Sequence, residues 1–325
     1  MKRTNFLGEL GTLGTLSVFA GCAGGASSLP SSDQYSPASF GRRHASPSPS
    51  APAPTPTPVP TILTPHQWWG VTIDDPSNVS GLVTALSGMK TKPIARICFD
   101  AESAPSSFAS AIAAISPVAY IMGQPFDSSD VATTSLSLYT STTSAYLSAF
   151  PNLTAWEVGN ELNGEWLGSN AQAKAYAAWQ LVRAAGKKTA LTLYYEPSQT
   201  VTAGYDMVPW ATQNIPSDMK AGLDYVLVSY YESDNENVRP TLAQWTAIFQ
   251  QLQAIFPNSY LGFGEVGIDN PATSATLAQA ESIMKYYYTL TPQVQNWVGG
   301  FFWWYFAEDC VPGSKPLLPL LNSLI

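Results

Sequence analysis

Two glutamates are set apart by their neighbours: Glu161, which follows Asn160 in AWEVGNELNGEW, and Glu265 in YLGFGEVG. Each comes at the end of a short apolar run that reads as a strand, so each stands where an extended segment gives way to a loop. Two carboxyl groups facing one another across a gap can divide the work at an acetal carbon. One protonates the leaving oxygen and the other attacks, and retention of configuration requires them roughly 5 Å apart. Other strand ends carry further chemistry: Arg96 in PIARICF, Tyr230 and Tyr231 in SYYES, and Trp303 and Trp304 in FFWWY. Glu196 in YYEP and Glu232 in YYES are the rival carboxyl groups. They lack an adjacent asparagine and an opposed partner, and are read as substrate contacts or loop residues. Asp74, Asp75 and Asp100 also end strands, where such side chains cap the following helix.

Placing these groups together requires a particular architecture. From residue 61 onward the chain alternates short apolar strands with helices of 3.6-residue periodicity. Strands are expected at Gln67 to Ile73, Pro93 to Phe99, Pro117 to Met122, Ala155 to Asn160, Ala190 to Tyr195, Tyr225 to Tyr230, Tyr260 to Val266 and Val298 to Tyr305. Helices are expected at Asn78 to Met89, Ser107 to Ile115, Ala132 to Phe150, Ala171 to Ala185, Thr241 to Phe256 and Ala272 to Tyr288. A less regular helical segment runs from Asp206 to Lys220, and a short terminal helix lies within Ser314 to Ile325. Eight βα units point to an α/β protein of the (β/α)8 barrel type, in which functional groups gather at the C-terminal ends of the strands. An open doubly wound sheet shows the same alternation, but the first strand is followed by no glycine-rich phosphate loop. In the barrel, Glu161 at strand four and Glu265 at strand seven lie across the mouth from each other. Glu157, four residues before Glu161, is expected on the same face and deeper in the lumen.

Asn-Glu at the fourth strand with Glu at the seventh, inside eight βα units, resembles clan A of the glycoside hydrolases. The resemblance covers residues 61–325 but rests on few motif residues. It implies that Glu161 is the general acid/base, Glu265 the nucleophile, and Asn160 a hydrogen-bonding partner of the sugar 2-hydroxyl. It further implies that Arg96 orients the nucleophile, that Tyr230, or Tyr231 one residue on, hydrogen-bonds it, and that Trp303 or Trp304 floors the sugar subsite. Glu157 resembles the first glutamate of the WE-x-x-NE pattern and is read as structural. Plainer roles compete: Arg96 also fits a salt-bridged barrel residue, and Trp303 and Trp304 straddle two strand faces, so one of them packs. Trp68, Trp69, Trp166 and His66 are read as approaching the rim, where Trp69, Trp166, Tyr231 and His66 would contact substrate. The function implied is that of a retaining, endo-acting hydrolase of a β-linked polysaccharide, with β-glucan or mannan preferred. A transglycosylase on the same glycans and a noncatalytic surface glycan-binding barrel are the alternatives.

The rest of the sequence bounds the setting. A net charge of -8 argues against a nucleic-acid partner and suits a neutral glycan. The 16 Tyr and 10 Trp offer flat faces for sugar rings. His44 and His66 are the two histidines, so a polyhistidine metal centre is not expected, and neither is a cofactor. Residues 1–22 read as an export signal. Small residues before Cys22 resemble a lipoprotein processing site, which leaves both lipid anchoring at Cys22 and free secretion open. Residues 23–60, ending in SPSPSAPAPTPTPVP, read as a disordered spacer. The catalytic unit is expected to work as a monomer, and an oxidising compartment would permit Cys98 and Cys310 to pair.

Overall fold

The computed structural model describes residues 67–100, 102–196 and 203–325. Cys22, His66, the export signal and the spacer lie outside the described residues. Eight parallel strands pair in chain order: β1 (Trp68–Ile73), β2 (Ile94–Cys98), β3 (Tyr120–Gln124), β4 (Ala155–Gly159), β5 (Thr189–Tyr194), β6 (Tyr225–Tyr230), β7 (Tyr260–Val266) and β8 (Trp297–Trp303). β8 closes on β1, and the fold is a (β/α)8 TIM barrel. The helices between and after the strands are α1 (Val79–Ser87), α2 (Ala109–Ile115), α3 (Ser128–Val131), α4 (Leu136–Ala149), α5 (Ala171–Ala184), α6 (Met207–Asn214), α7 (Ser217–Gly222), α8 (Leu242–Ile255), α9 (Leu277–Tyr287), α10 (Phe306–Cys310) and α11 (Leu317–Leu324).

Three boundaries differ by three residues or more from those expected, each for a local reason. The third strand starts at Tyr120 rather than Pro117, because Ser116, Val118 and Ala119 donate backwards to carbonyls of Ile112 and Ile115 and so finish α2. The helix expected from Ala132 starts at Leu136, since Ser135 caps α4 by accepting from the Leu138 N–H at 3.1 Å, and the short α3 lies before it. The helix expected from Ala272 starts at Leu277, after Thr273 and Thr276 bond each other across a turn. Where the sequence carries a strong cap the boundary holds: Thr241 and Gln244 form a capping box at the start of α8.

Alternation along the strands divides their side chains between two compartments. Trp68, Ile94, Met122, Ala155, Ala190, Tyr225, Leu227, Val298 and Phe302 pack inside the barrel and close its floor. Outward residues such as Ile97, Trp156, Leu191, Val226, Val228 and Phe263 pack under the helices. Burying each of these large apolar side chains contributes roughly 1.5–3 kcal/mol. Above the floor the inward side chains turn polar: Arg96, Glu157, Thr192, Ser229 and Glu265 are all at most 3% exposed. A packed apolar floor thus carries a layer of buried ionisable and hydroxyl groups towards the C-terminal strand ends.

Candidate active site

Two irregularities in the sheet bring the glutamates into this layer. On β7, Leu261 and Phe263 face the outer core, so strict alternation would send Glu265 outward as well. The β6–β7 pairing instead runs Val228 with Phe263 and then Ser229 with Glu265, skipping Gly264. That bulge turns Glu265 inward. A second shift, on β4 between Glu157 and Gly159, brings Asn160 rather than Glu161 onto the side of Glu157. Glu161 follows with φ at 48°, in the left-handed region. The turn is held where the Leu162 N–H donates to the Thr192 carbonyl at 3.0 Å and the Gly164 N–H to the Glu161 carbonyl at 2.7 Å. Glu157 and Glu161 therefore do not share a strand face, contrary to the expectation from spacing.

Donors converge on Glu265. Arg96 Nη2 lies 2.9 Å from Oε1 in an ion pair with no side-chain exposure on either partner. Asn160 Nδ2 donates to Oε1 at 2.8 Å, and the Tyr231 hydroxyl donates to Oε2 at 3.0 Å. The Asn160 amide has a fixed orientation, because its Oδ1 accepts the Ser128 N–H at 2.9 Å and leaves Nδ2 for the carboxylates. Arg96 and Asn160 also reach Glu157, at 3.5 and 3.4 Å, and Thr192 donates its hydroxyl to the same group. Burial pushes the Glu157 carboxyl up to about 6, against the opposing pull of Arg96 and Thr192. For Arg96, burial favours loss of the proton, but the charges of Glu265 and Glu157 outweigh it and hold the guanidinium firmly cationic. Glu161 is held differently. Its Oε2 accepts the Ser128 hydroxyl at 2.7 Å and its Oε1 the Ser229 hydroxyl at 2.6 Å.

Of the two tyrosines, Tyr231 reaches Glu265 and Tyr230 does not. Tyr230 points outward from β6, donates to the Val238 carbonyl at 2.8 Å, and meets Trp245 edge-on at a centroid distance of 5.1 Å. Pleating explains the correction: Leu227 and Ser229 face inward, so the next inward position is 231. The tryptophan pair separates in the same way. Trp304 lies beside Tyr231 and Tyr305, with the Arg96 guanidinium 5.1 Å from its ring centroid. Trp303 is fully buried outside the barrel, its indole N–H donating to Asp309 at 2.8 Å, so it packs and does not floor a subsite. Trp68 and Trp69 are the first two residues of β1 and lie at its N-terminal end, away from the glutamates. Trp68 plugs the barrel floor, and Trp69 stacks on Phe301 at 5.5 Å.

At the level of sequence, no protein-family model and no curated protein matches the chain. Solved structures do match in fold. A glycoside hydrolase family 5 enzyme from Prevotella bryantii aligns at a TM-score of 0.53 and 15% identity, covering 77% of this chain and 86% of its own. A GH10 xylanase from Bispora gives 0.51 and 14%, covering 73% and 83%. The catalytic domain of the major endoglucanase of Xanthomonas campestris gives 0.50 and 13%, covering 79% and 94%. The chain shares the barrel fold of these glycoside hydrolases.

The remaining polar groups of this barrel fall into place around the pair. Glu232 is committed to Arg239, whose Nε and Nη2 approach its two oxygens at 2.5 and 3.0 Å. Glu196 lines a cleft of about 190 Å³ with Asn163, Trp166, Tyr194 and Tyr205, beyond the ends of β4 and β5. Trp166 is 41% exposed there and meets Tyr194 edge-on at 5.2 Å, which leaves it open to a ligand. Burial, together with Asp234 and Glu165, raises the Glu196 carboxyl above its ordinary range. Asp75 accepts the Ser77 N–H at 2.8 Å and Asp100 the Glu102 N–H at 2.9 Å, both as turn-forming contacts. Cys98 and Cys310 are free thiols. No group of histidine, cysteine and carboxylate side chains suited to a metal occurs among the described residues. Ser128, Ser229 and Thr192 were not singled out by sequence. A lone serine or threonine in a barrel carries no motif, and only the juxtaposition of distant strands gives these three a role.

Proposed function

We propose that this chain is a retaining, endo-acting glycoside hydrolase that cleaves a β-linked polysaccharide by double displacement. The observation that carries the reading is the contrast between its two buried glutamates. Glu265 is oriented by a guanidinium, an amide and a phenol hydroxyl, whereas Glu161 is held by two serine hydroxyls on a different part of the rim. Two carboxyl groups in contrasting surroundings suit an anionic nucleophile and a proton-carrying partner. Glu265 attacks the anomeric carbon as the bond to the leaving oxygen breaks, and Glu161 gives that oxygen its proton. The resulting glycosyl ester on Glu265 is then opened by water, whose proton returns to Glu161. Asn160, bonded to Glu265, stands where it can also meet the sugar 2-hydroxyl, and Trp304 offers an apolar face beside Tyr231. The xylanase and the endoglucanase that share this fold support a polymeric glycan as substrate, with β-glucan or mannan preferred for this chain. The proposal extends to export, with lipid attachment at Cys22 or free secretion as the two outcomes that acyl labelling would separate.

The test is reducing-end release by the full chain on soluble β-glucans, mannan, xylan and galactan, beside Glu161→Gln and Glu265→Gln. Release is expected on at least one polymer, with kcat falling by at least about 10³-fold in Glu265→Gln, the order seen when a nucleophile is removed. Normal cleavage by Glu265→Gln would refute the nucleophile assignment. Binding with no release on any polymer would point to a noncatalytic glycan-binding barrel, and accumulation of longer products under excess acceptor to a transglycosylase.

A further inference from the structure

The two serine hydroxyls on Glu161 come from parts of the chain that no sequence motif connects. Ser128 opens α3 after β3, and Ser229 is the fifth residue of β6. They approach opposite oxygens of one carboxyl group at 2.7 and 2.6 Å, and Ser128 and Ser229 are 6% and 0% exposed. One serine on each carboxylate oxygen fixes the plane of the group. Ser128 does more: its backbone N–H holds Asn160 Oδ1 at 2.9 Å, so one residue orients both members of the Asn160-Glu161 pair. Ser229 in turn pairs in register with Glu265 across β6 and β7, which ties the depth of Glu161 to the strand that carries its counterpart.

We propose that Ser128 and Ser229 are positioning residues for proton transfer, clamping Glu161 so that its proton is delivered to the leaving oxygen. The inference rests on the assignment of Glu161 as proton donor. A glutamate side chain left free to rotate loses on the order of 1.5 kcal/mol of entropy when it is ordered. The clamp removes that freedom before substrate arrives, and a proton donor misplaced by an ångström transfers poorly. A serine hydroxyl can donate to the carboxylate or turn to accept from the acid, so the clamp survives both halves of the cycle. The buried charged groups of the same polar layer are Arg96 on β2, Glu157 on β4 and Glu265 on β7, paired with one another through Arg96.

The experiment uses Ser128→Ala and Ser229→Ala, with the Cys variants at both positions, which keep side-chain size but donate weakly. Activity is compared on the polymer that the unaltered chain cleaves and on a 2,4-dinitrophenyl β-glycoside of the same sugar, whose leaving group needs no proton. All four variants are expected to lose about tenfold to a hundredfold in kcat on the polymer, the size of a lost hydrogen bond to a charged group. Formation of the glycosyl-enzyme from the dinitrophenyl glycoside is expected to change by less than about threefold. Independently of activity, the titration of the Glu161 carboxyl carbon, followed by carbon-13 NMR and assigned with Glu161→Gln, should move up by about one pH unit. Losing a donor to the charged form has that sign. Equal losses on both substrates, Cys variants that behave like the unaltered chain, or a titration that stays in place would each overturn the clamp. If Glu161→Gln cleaves the polymer normally, the acid assignment fails and the clamp with it. If Glu161→Gln is inactive while the serine variants behave as the unaltered chain, the clamp alone fails.

Discussion

Glu157 and Glu265 draw on the same two donors, Arg96 and Asn160, so Glu265, the proposed nucleophile, belongs to a buried group of two carboxyls and one cation. Tyr231 adds the donor that distinguishes them, since its hydroxyl reaches Glu265. Tyr231→Phe removes a hydrogen bond to a charged group, worth about 1.5–3 kcal/mol. A fall in kcat/KM of roughly tenfold to a hundredfold is expected, with little change in the unfolding midpoint. Tyr230→Phe should do the reverse. It removes the hydrogen bond to the carbonyl of the exposed Val238 and costs about 0.5–1.5 kcal/mol of stability, while kcat/KM holds. Steady-state kinetics and urea denaturation on the two variants check both halves, and matching kinetic losses would show that the register of β6 is misassigned. Arg96 was read from sequence with a salt-bridged role as the plainer alternative. The salt bridge is to Glu265, the proposed nucleophile, so one contact is compatible with both readings.

At the scale of elements, the site depends on where the strands break their own rules. The bulge at Gly264 that turns Glu265 inward also needs a residue without a side chain. A Cβ at Gly264 would stand 2.7 Å from the Thr192 hydroxyl and methyl and 2.9 Å from Leu227 Cβ. Thr192 is the residue that donates to Glu157, so the space above Gly264 belongs to the buried polar layer. Gly264→Ala is expected to destabilise by about 1–3 kcal/mol through overpacking, read as a lower urea midpoint. It should also lower kcat on the polymer cleaved, because displacing Thr192 frees one side of Glu157. A variant as stable and active as the unaltered chain would mean that β7 relaxes around a methyl group and that the bulge is not tightly packed.

For the whole molecule, burial of carboxyl groups sets a direction for stability against pH. Burial pushes the Glu157 carboxyl up to about 6 in the folded chain from an ordinary 4.5, and pushes the Glu308 carboxyl up to about 7. A raised folded pKa means that the folded state holds the proton more tightly. The associated stability is full below about 4.5 and is lost as pH rises to about 6 for Glu157 and about 7 for Glu308. Glu157 alone accounts for about 2 kcal/mol of this fall, while the half-buried Glu308 adds less than its shift implies because solvent screens it. Urea unfolding at pH 4.5 and pH 7 should show the decline, and Glu157→Gln should flatten it. An equal slope in that variant would place the proton elsewhere.

The limits of the sequence follow the same geometry. Periodicity and strand-ending residues determined by themselves the number and order of the strands, the helices between them, the barrel class, and the positions of Glu161, Glu265 and Asn160 at the C-terminal strand ends, while Arg96 was added by the resemblance. These are local facts: alternation, caps and apolar runs are written in consecutive residues, and a barrel sends all strand ends to one rim. Only the tertiary structure decided which of Tyr230 and Tyr231, and of Trp303 and Trp304, faces the site, because a single bulge reverses every later side chain on a strand. It also placed Trp69 at the far end of β1, set Glu157 beside Asn160, and gave Ser128, Ser229 and Thr192 their partners. The serine and threonine contacts join residues 33 to 68 positions apart through strand register and loop path, quantities fixed by the packing of the whole barrel rather than by any segment of its sequence.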